Sequence, residues 1–445
     1  MALSMILVFA KLAPLHVLYT IFAFLWNTGQ RLIASTILMF LKSSKQDFVL
    51  CFNIVYRKKI NELDPASPWN FLWIYNGYAP LSSMASNKNI QQYCFGEKWV
   101  YFVETDSNVQ THSSEISPFL FVAQFNHAKK MYVLTHAQFN ELASSVGKPE
   151  VKVVLLSSTG RCGSTLISQM MESTSATLSL SEPDSLTSLK EIHSAKQLSN
   201  SQVRTLLRSI FLLYAHQATF YDAKITFIKT RSICYPLIPL IHQEIPWVKH
   251  ICMYRQGLAT IQSQIQAFGS TVIMQAMSKS TESLREMLQV MPVDFYGSID
   301  DITDVFSLTA RMWIGLLSDI NDYIVQQNIP IRGLKYEDLL ASPKGYLRII
   351  NDEFSLGLNE DEIHSGVLAT KKDSQRGLTI SREAVNEKSD KKEARNEIKG
   401  KFSGQVKTEL GEVCAKLGIP TLDSQDRLLG TIDPAEVKAY MNKIK

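Results

Sequence analysis

Cysteine is scarce in this chain: six residues, at positions 51, 94, 162, 234, 252 and 414, with no CxxC pair among them. That spacing excludes a disulfide scaffold, a zinc ribbon and a thioredoxin-like redox motif. The nine histidines show no paired spacing and no HExxH, so none is assigned to a metal. A dominant charge is also lacking, since 46 basic against 42 acidic residues leave +4 over 445 residues. Such a balance gives no argument for nucleic acid as a partner, although it does not forbid a local anion site. With 20% charged and 45% hydrophobic residues, 20 Gly and 15 Pro, the composition excludes disordered, collagen-like and coiled-coil classes over most of the length. No Asn-x-Ser/Thr sequon occurs, and no internal repeat is found. At about 150 residues per domain, the length suggests roughly three domains, or two with appendages.

What is present is unevenly distributed. Residues 5–26 are nearly all apolar, interrupted by Lys11 and His16, and after a polar stretch at 27–31 a second apolar run covers 32–41. About 20 apolar residues suffice to cross a bilayer as a helix. The missing basic n-region argues against a cleaved signal peptide. Residues 1–42 are therefore expected to form a membrane anchor, the alternative being a buried or interfacial helix. The basic residues Arg31, Lys42, Lys45, Arg57, Lys58 and Lys59 follow the run, which by the positive-inside rule places the bulk of the chain in the cytosol.

Residues 48–145 read as a β-rich accessory region, with aromatic and β-branched runs at 48–56, 98–103 and 119–123 expected as strands. Its Trp69, Trp73, Tyr75 and Tyr78 are read as core. The pattern changes at Val151. A short apolar run at 151–156 leads into Ser157-Ser158-Thr159-Gly160, after which Leu166, Ile167, Met170 and Met171 recur at helical spacing. Similar runs follow at 225–229 and 250–254, and another at 331–339 after a helical stretch over 303–326. Buried strands alternating with helices imply an α/β, three-layer domain around a parallel sheet, here over 151–381. Residues 382–445 are charged and read as a mostly helical, solvated tail.

The loop at 157–165 joins a strand to a helix, where backbone amides and the helix dipole converge on an anion. Gly160 and Gly163 allow close backbone approach, Arg161 adds a fixed cation, and Ser164 and Thr165 add hydroxyl donors. Only two residues separate the glycines and no Lys follows, so this is not a Walker loop, and an ATPase or ordinary kinase is disfavoured. The competing explanation is that Ser164 merely caps a helix. A second cation, Arg255, stands at the end of another buried strand, with Ser263 eight positions later. In open α/β sheets, ligands bind outside such strand ends.

The loop with Gly160, Arg161, Cys162, Gly163, Ser164 and Thr165, taken with the Arg255…Ser263 pair, resembles the PAPS-dependent sulfotransferases, and in motif style the carbohydrate-type members. The resemblance spans about half the chain and implies a P-loop-like element binding the 5′-phosphosulfate of 3′-phosphoadenosine 5′-phosphosulfate (PAPS). Arg255 and Ser263 would then bind the 3′-phosphate. It extends to Ser181-Glu182-Pro183, where the family's Glu-Pro supplies the general base, and to Lys229-Thr230, where its Lys-Thr ends the next strand. Lys335-Tyr336-Glu337-Asp338-Leu339 matches the family's Tyr-Glu-Asp-Leu segment, and 373–377 is a weaker counterpart of the loop closing over the nucleotide. Gly257 stands where Pro is common, and Arg161-Cys162 replaces a Lys-Ser or Arg-Ser.

The resemblance implies sulfuryl transfer to a hydroxyl acceptor, a carbohydrate or small metabolite, without a metal. Glu182 would be the base and Lys229 the cation on the bridging oxygen. It also implies a membrane-anchored protein of the Golgi lumen. The competing reading is a catalytically silent nucleotide-binding or scaffold protein on the same fold.

Overall fold

The computed structural model describes residues 14–40, 47–268, 277, 279–290, 294–372, 374–375 and 404–443. Two five-stranded sheets organise them. The first is antiparallel, in the order β2-β1-β5-β4-β3, built from β1 (Phe48–Arg57), β2 (Phe71–Pro80), β3 (Ile90–Phe95), β4 (Trp99–Thr105) and β5 (Ala128–Thr135). The second is parallel, in the order β10-β9-β6-β8-β7, from β6 (Lys152–Ser158), β7 (Thr177–Ser181), β8 (Ile225–Lys229), β9 (Lys249–Tyr254) and β10 (Ile331–Lys335).

The apolar run in β6 explains why its sheet is covered on both faces. Side chains alternate along a strand, and here Val153 and Leu155 enter one core while Val154 and Leu156 enter another. The helix Ser164–Glu172 covers the second face with Leu166, Ile167, Met170 and Met171. The helices Asp184–Ser194 and Asn200–Thr219 cover the first. Each fully buried aliphatic side chain contributes about 1.5–3 kcal/mol. Val49, Val100, Phe102 and Leu134 of the antiparallel sheet share that first core, so the two sheets are joined by continuous apolar packing. From β6 the chain runs to one edge, returns beside it as β8, then crosses to β9 and β10. The carboxyl ends of all five strands therefore open on one edge, with β6 central.

Residues 119–123, expected as a strand, instead begin the helix Leu120–His127. Its first five residues are all buried, and a short apolar run buried all round has no period by which helix and strand can be told apart.

The N-terminal expectation is also revised. Among the described residues no helix is long and apolar enough to cross a membrane. Residues 14–40 form one continuous helix, Pro14–Phe40, and the polar stretch at 27–31 is its docking face rather than a break. Asn27 Nδ2 donates to the Phe71 carbonyl (2.8 Å), and Asn27 Oδ1 accepts from the Trp73 amide (3.2 Å). Gln30 accepts from the Tyr75 amide (3.0 Å), and Trp26 Nε1 donates to the Trp73 carbonyl (2.8 Å). The unpaired backbone edge of β2 is thus capped by side chains, which removes a pairing hazard. The opposite face exposes Leu15, Leu18, Phe22 and Leu25. Residues 1–13 lie outside the described residues.

The C-terminal segment is not a detached tail. Its helices, Gly404–Lys416 and Pro434–Lys443, flank a stretch that bridges to β10 at Gly333 and Thr431, and Leu410, Cys414, Leu422, Ile432 and Val437 are all buried. The charged run at 388–395 lies outside the described residues. Gly257 is explained by this docking. A Cβ there would meet Leu422 Cδ2 at 2.7 Å and its Cα at 2.9 Å, and the Leu258 amide donates to the Leu422 carbonyl (2.8 Å).

Two tests follow from this packing. Asn27 is fully buried, and Asn27→Ala leaves a strand amide and a carbonyl without partners, so unfolding should become easier by about 1–3 kcal/mol. A lower urea midpoint at unchanged m would show it, and an unmoved midpoint would contradict the docking. His250, buried in β9 with neither ring nitrogen bonded, has its pKa lowered to about 3 by burial first and His242 second. An unfolded histidine titrates near 6.5, so below that pH the unfolded chain takes up a proton that the folded one refuses. The contribution is therefore complete above about 6.5 and shrinks as pH falls toward 3. His250→Leu should flatten the dependence of thermal midpoint on pH between about 6.5 and 4.

Candidate functional site

The site lies on the carboxyl edge of the parallel sheet. After β6 the chain turns through Gly160 (φ +70°), Arg161 (φ +49°) and Gly163 (φ +84°) into the helix Ser164–Glu172. A left-handed backbone suits glycine, whereas Arg161 holds it at a cost of order 1 kcal/mol, sustained by the contacts around it. Gly163 cannot be replaced, since a Cβ would run into the Tyr336 ring. The Thr159 amide donates to the Met253 carbonyl (3.1 Å), tying the loop to β9. Ser164 and Thr165 open the helix with their side chains on the cleft.

Cys162, expected among the anion-binding residues, points the other way. Its thiol is wholly buried and donates to the Met253 carbonyl (3.3 Å), and burial raises its pKa. The thiol therefore contributes packing beneath the loop rather than a contact in the cleft. A thiol held protonated is not a nucleophile.

Arg161 Nε donates to Ser263 Oγ (3.1 Å), and its NH1 donates to Gln375 Oε1 (2.5 Å). Arg255 and Ser263 thus engage different partners here. The Arg255 guanidinium lies 5.0 Å from the Tyr336 ring centroid and 3.8 Å from a Glu337 oxygen, while its carbonyl accepts from Trp313 Nε1 (3.2 Å). Tyr336 connects the two elements, packing its ring on Gly163 and beneath Arg255. Ser374 and Gln375 reach the loop, the former accepting from Gln169 Nε2 (3.1 Å). Asp373, Arg376 and Gly377 of that segment lie outside the described residues.

The fold brings Glu182 and Lys229 together. Parallel pairing places Ser181 opposite Lys229, so each residue ends one of two adjacent strands. The Glu182 amide donates to the Lys229 carbonyl (2.6 Å), with Glu182 itself at φ +55°. The side chains form a charge-assisted hydrogen bond, Lys229 Nζ donating to Glu182 Oε1. Lys229 is 2% exposed, and its Nζ also approaches Thr165 Oγ1 (3.5 Å) and the Phe119 ring centroid (4.6 Å).

Arg231, two residues beyond Lys229, is held by Asp184 rather than pointing at solvent. Its Nε and NH2 donate to the two Asp184 oxygens (2.7 and 3.1 Å), its NH1 donates to the Leu63 carbonyl (3.0 Å), and the Phe121 ring centroid lies 4.0 Å away. Burial lowers its pKa, but the carboxylates of Asp184 and Glu182 more than offset this and leave it raised. Phe119 and Phe121 stack in near-parallel planes with centroids 5.8 Å apart. They and Leu63 come from the antiparallel region and form the apolar wall of a cleft of about 220 Å³. Its other wall carries Arg161, Ser164, Thr165, Glu182, Lys229 and Arg231.

Asp184, Phe119, Phe121 and Leu63 escaped the sequence reading. Asp184 carried one signal, an acidic residue opening a helix directly after Glu182-Pro183, whereas nothing in the aromatic run distinguished site wall from core. The donor set is what a polyanionic group needs: loop amides, two hydroxyls, Arg161 and Lys229. One carboxylate, that of Glu182, lines the same wall. No protein-family model matches this chain, and no curated protein matches it.

Proposed function

We propose that the chain is a sulfotransferase, moving a sulfuryl group from PAPS to a hydroxyl acceptor. The observation that carries this reading is the Glu182–Lys229 contact at the ends of two adjacent parallel strands, beside a glycine-bearing loop at the end of the central one. Bound PAPS would supply an activated sulfuryl group, whose sulfur gains the acceptor oxygen as the bond to the bridging phosphate oxygen breaks. The electron pair leaves with adenosine 3′,5′-bisphosphate. Arg161, Ser164, Thr165 and the loop amides hold the phosphosulfate end, and Arg255 with Tyr336 serves the other phosphate. Lys229 stabilises charge on the bridging oxygen, and Glu182 takes the proton of the acceptor hydroxyl. Their mutual hydrogen bond is the resting arrangement, which keeps the buried ammonium and the partly exposed carboxylate paired until each finds its reacting partner.

Calorimetry with adenosine 3′,5′-bisphosphate should show binding, weakened at least about tenfold by Arg255→Ala or Arg161→Ala. Glu182→Gln should keep that affinity and lose about a hundredfold or more of radiolabelled sulfuryl transfer. Absence of binding to the wild type would sink the proposal. Binding without transfer to any acceptor pool would establish the silent, nucleotide-binding alternative.

The proposal includes attachment to a membrane surface, supported by the apolar outward face of the helix Pro14–Phe40. The whole chain should float with phosphatidylserine-containing vesicles, and the triple variant Leu18→Gln, Phe22→Gln, Leu25→Gln should stay in the dense fraction. Equal behaviour of the two would remove this part.

A further inference from the structure

We infer that Asp184 is a positioning residue that cancels the charge of Arg231 and so leaves Glu182 able to act as the proton acceptor. The inference rests on the proposed transfer reaction. Its geometric basis is the arrangement of three charged groups around Glu182. Lys229 is in direct contact with one carboxylate oxygen, while the other lies 3.9 Å from Arg231 Nε, beyond a hydrogen bond. The Arg231 fork is turned away, its Nε and NH2 engaged by an Asp184 side chain that is completely buried. Asp184 Oδ2 also accepts from the Ala66 amide (2.7 Å), which fixes the carboxylate from the antiparallel side.

The arrangement matters most at the moment of transfer. Once Lys229 turns to the bridging oxygen, the cation nearest Glu182 is Arg231. An uncompensated guanidinium at that distance holds a carboxylate ionised and makes it a poor proton acceptor. With Asp184 in place, Arg231 presents almost no net charge, and Glu182 is released when Lys229 leaves. The other charged groups around this cluster do not substitute for Asp184. Glu191, on the same helix, is a partly buried carboxyl whose pKa is raised by burial first and Asp184 second. Lys190 is bound to Asp294 (2.7 Å), and Lys59 donates to the Asp64 carbonyl (2.7 Å) and lies 5.0 Å from the Phe121 ring centroid. Arg161 faces Ser263 and Gln375 across the cleft, and the Cys234 thiol near Arg231 is held protonated by burial.

The test is the pH profile of kcat/KM for sulfuryl transfer, with bisphosphate affinity measured alongside. Asp184→Asn should move the acidic limb down by about one pH unit and lower the plateau about tenfold, with the bisphosphate Kd unchanged. The double variant Asp184→Asn, Arg231→Gln has no unpaired cation and should return the limb to its wild-type position. A role confined to folding would move the thermal midpoint and leave the limb in place. An unmoved limb in Asp184→Asn, or a double variant that keeps the single variant's profile, overturns the inference. If Asp184→Asn does not fold, Arg231→Gln alone reads the opposite sign, because Asp184 then faces Glu182 uncompensated and the limb rises. An unmoved limb there is equally fatal. Failure of the underlying reading looks different: the wild type transfers nothing, or Glu182→Gln stays active.

Discussion

A carboxylate sealed from water must be paired, and the Asp184 carboxylate, with no exposed surface, is paired from two directions. Arg231 reaches it from the end of β8, and the Ala66 amide reaches it from the loop between β1 and β2. Removing either partner would strand a buried charge, so the parallel sheet and the antiparallel region are committed to one relative placement at this point. The rest of the cleft follows from that placement. Arg231 holds the Leu63 carbonyl, Phe121 lies against the guanidinium, and Phe119 stacks on Phe121 while covering Lys229. The apolar wall and the charged wall are therefore registered against each other by one ion pair.

The antiparallel region acquires a role in this light. Its five strands and the helix Leu120–His127 carry no constellation of reactive side chains, yet they deliver the ring pair and the loop that close the cleft. Their own exposed edge is managed by the helix Pro14–Phe40, whose Asn27 and Gln30 take the place of a neighbouring strand. On the other side of the molecule, residues 404–443 brace β9 and β10, with Leu422 against Gly257 and Thr431 beside Gly333. Strand ends that must hold charges at ångström precision gain from bracing on both sides.

Much of the parallel sheet was legible because its signals are local. A buried strand announces itself by a short apolar run, and a glycine-bearing turn into a helix marks where that strand delivers its end. Gly160, Arg161, Gly163, Ser164 and Thr165 follow the run at 151–156 and Lys229 ends the run at 225–229, so parallel topology brings them to one edge, whereas Glu182 follows β7, whose alternating polar residues announce no buried strand. The direction of the Cys162 side chain was not legible for the opposite reason: adjacency in a loop says nothing of which way a side chain turns, and here the thiol turns inward onto the Met253 carbonyl. The polar stretch at 27–31 looked like an interruption because its partners, the backbone groups of β2, lie more than 40 residues away.

By itself, then, the sequence determined the layered α/β sheet and the strand ends that carry its charged residues, since burial period and turn chemistry operate over a few neighbouring positions. Only the tertiary structure decided that Asp184 pairs with Arg231, that Phe119 and Phe121 face a cleft, and that the helix Pro14–Phe40 and residues 404–443 dock on the sheets. Each of these depends on partners far apart in the chain, and the pairing of buried charge and backbone is satisfied by whichever group the fold brings near, not by the one that is next in line.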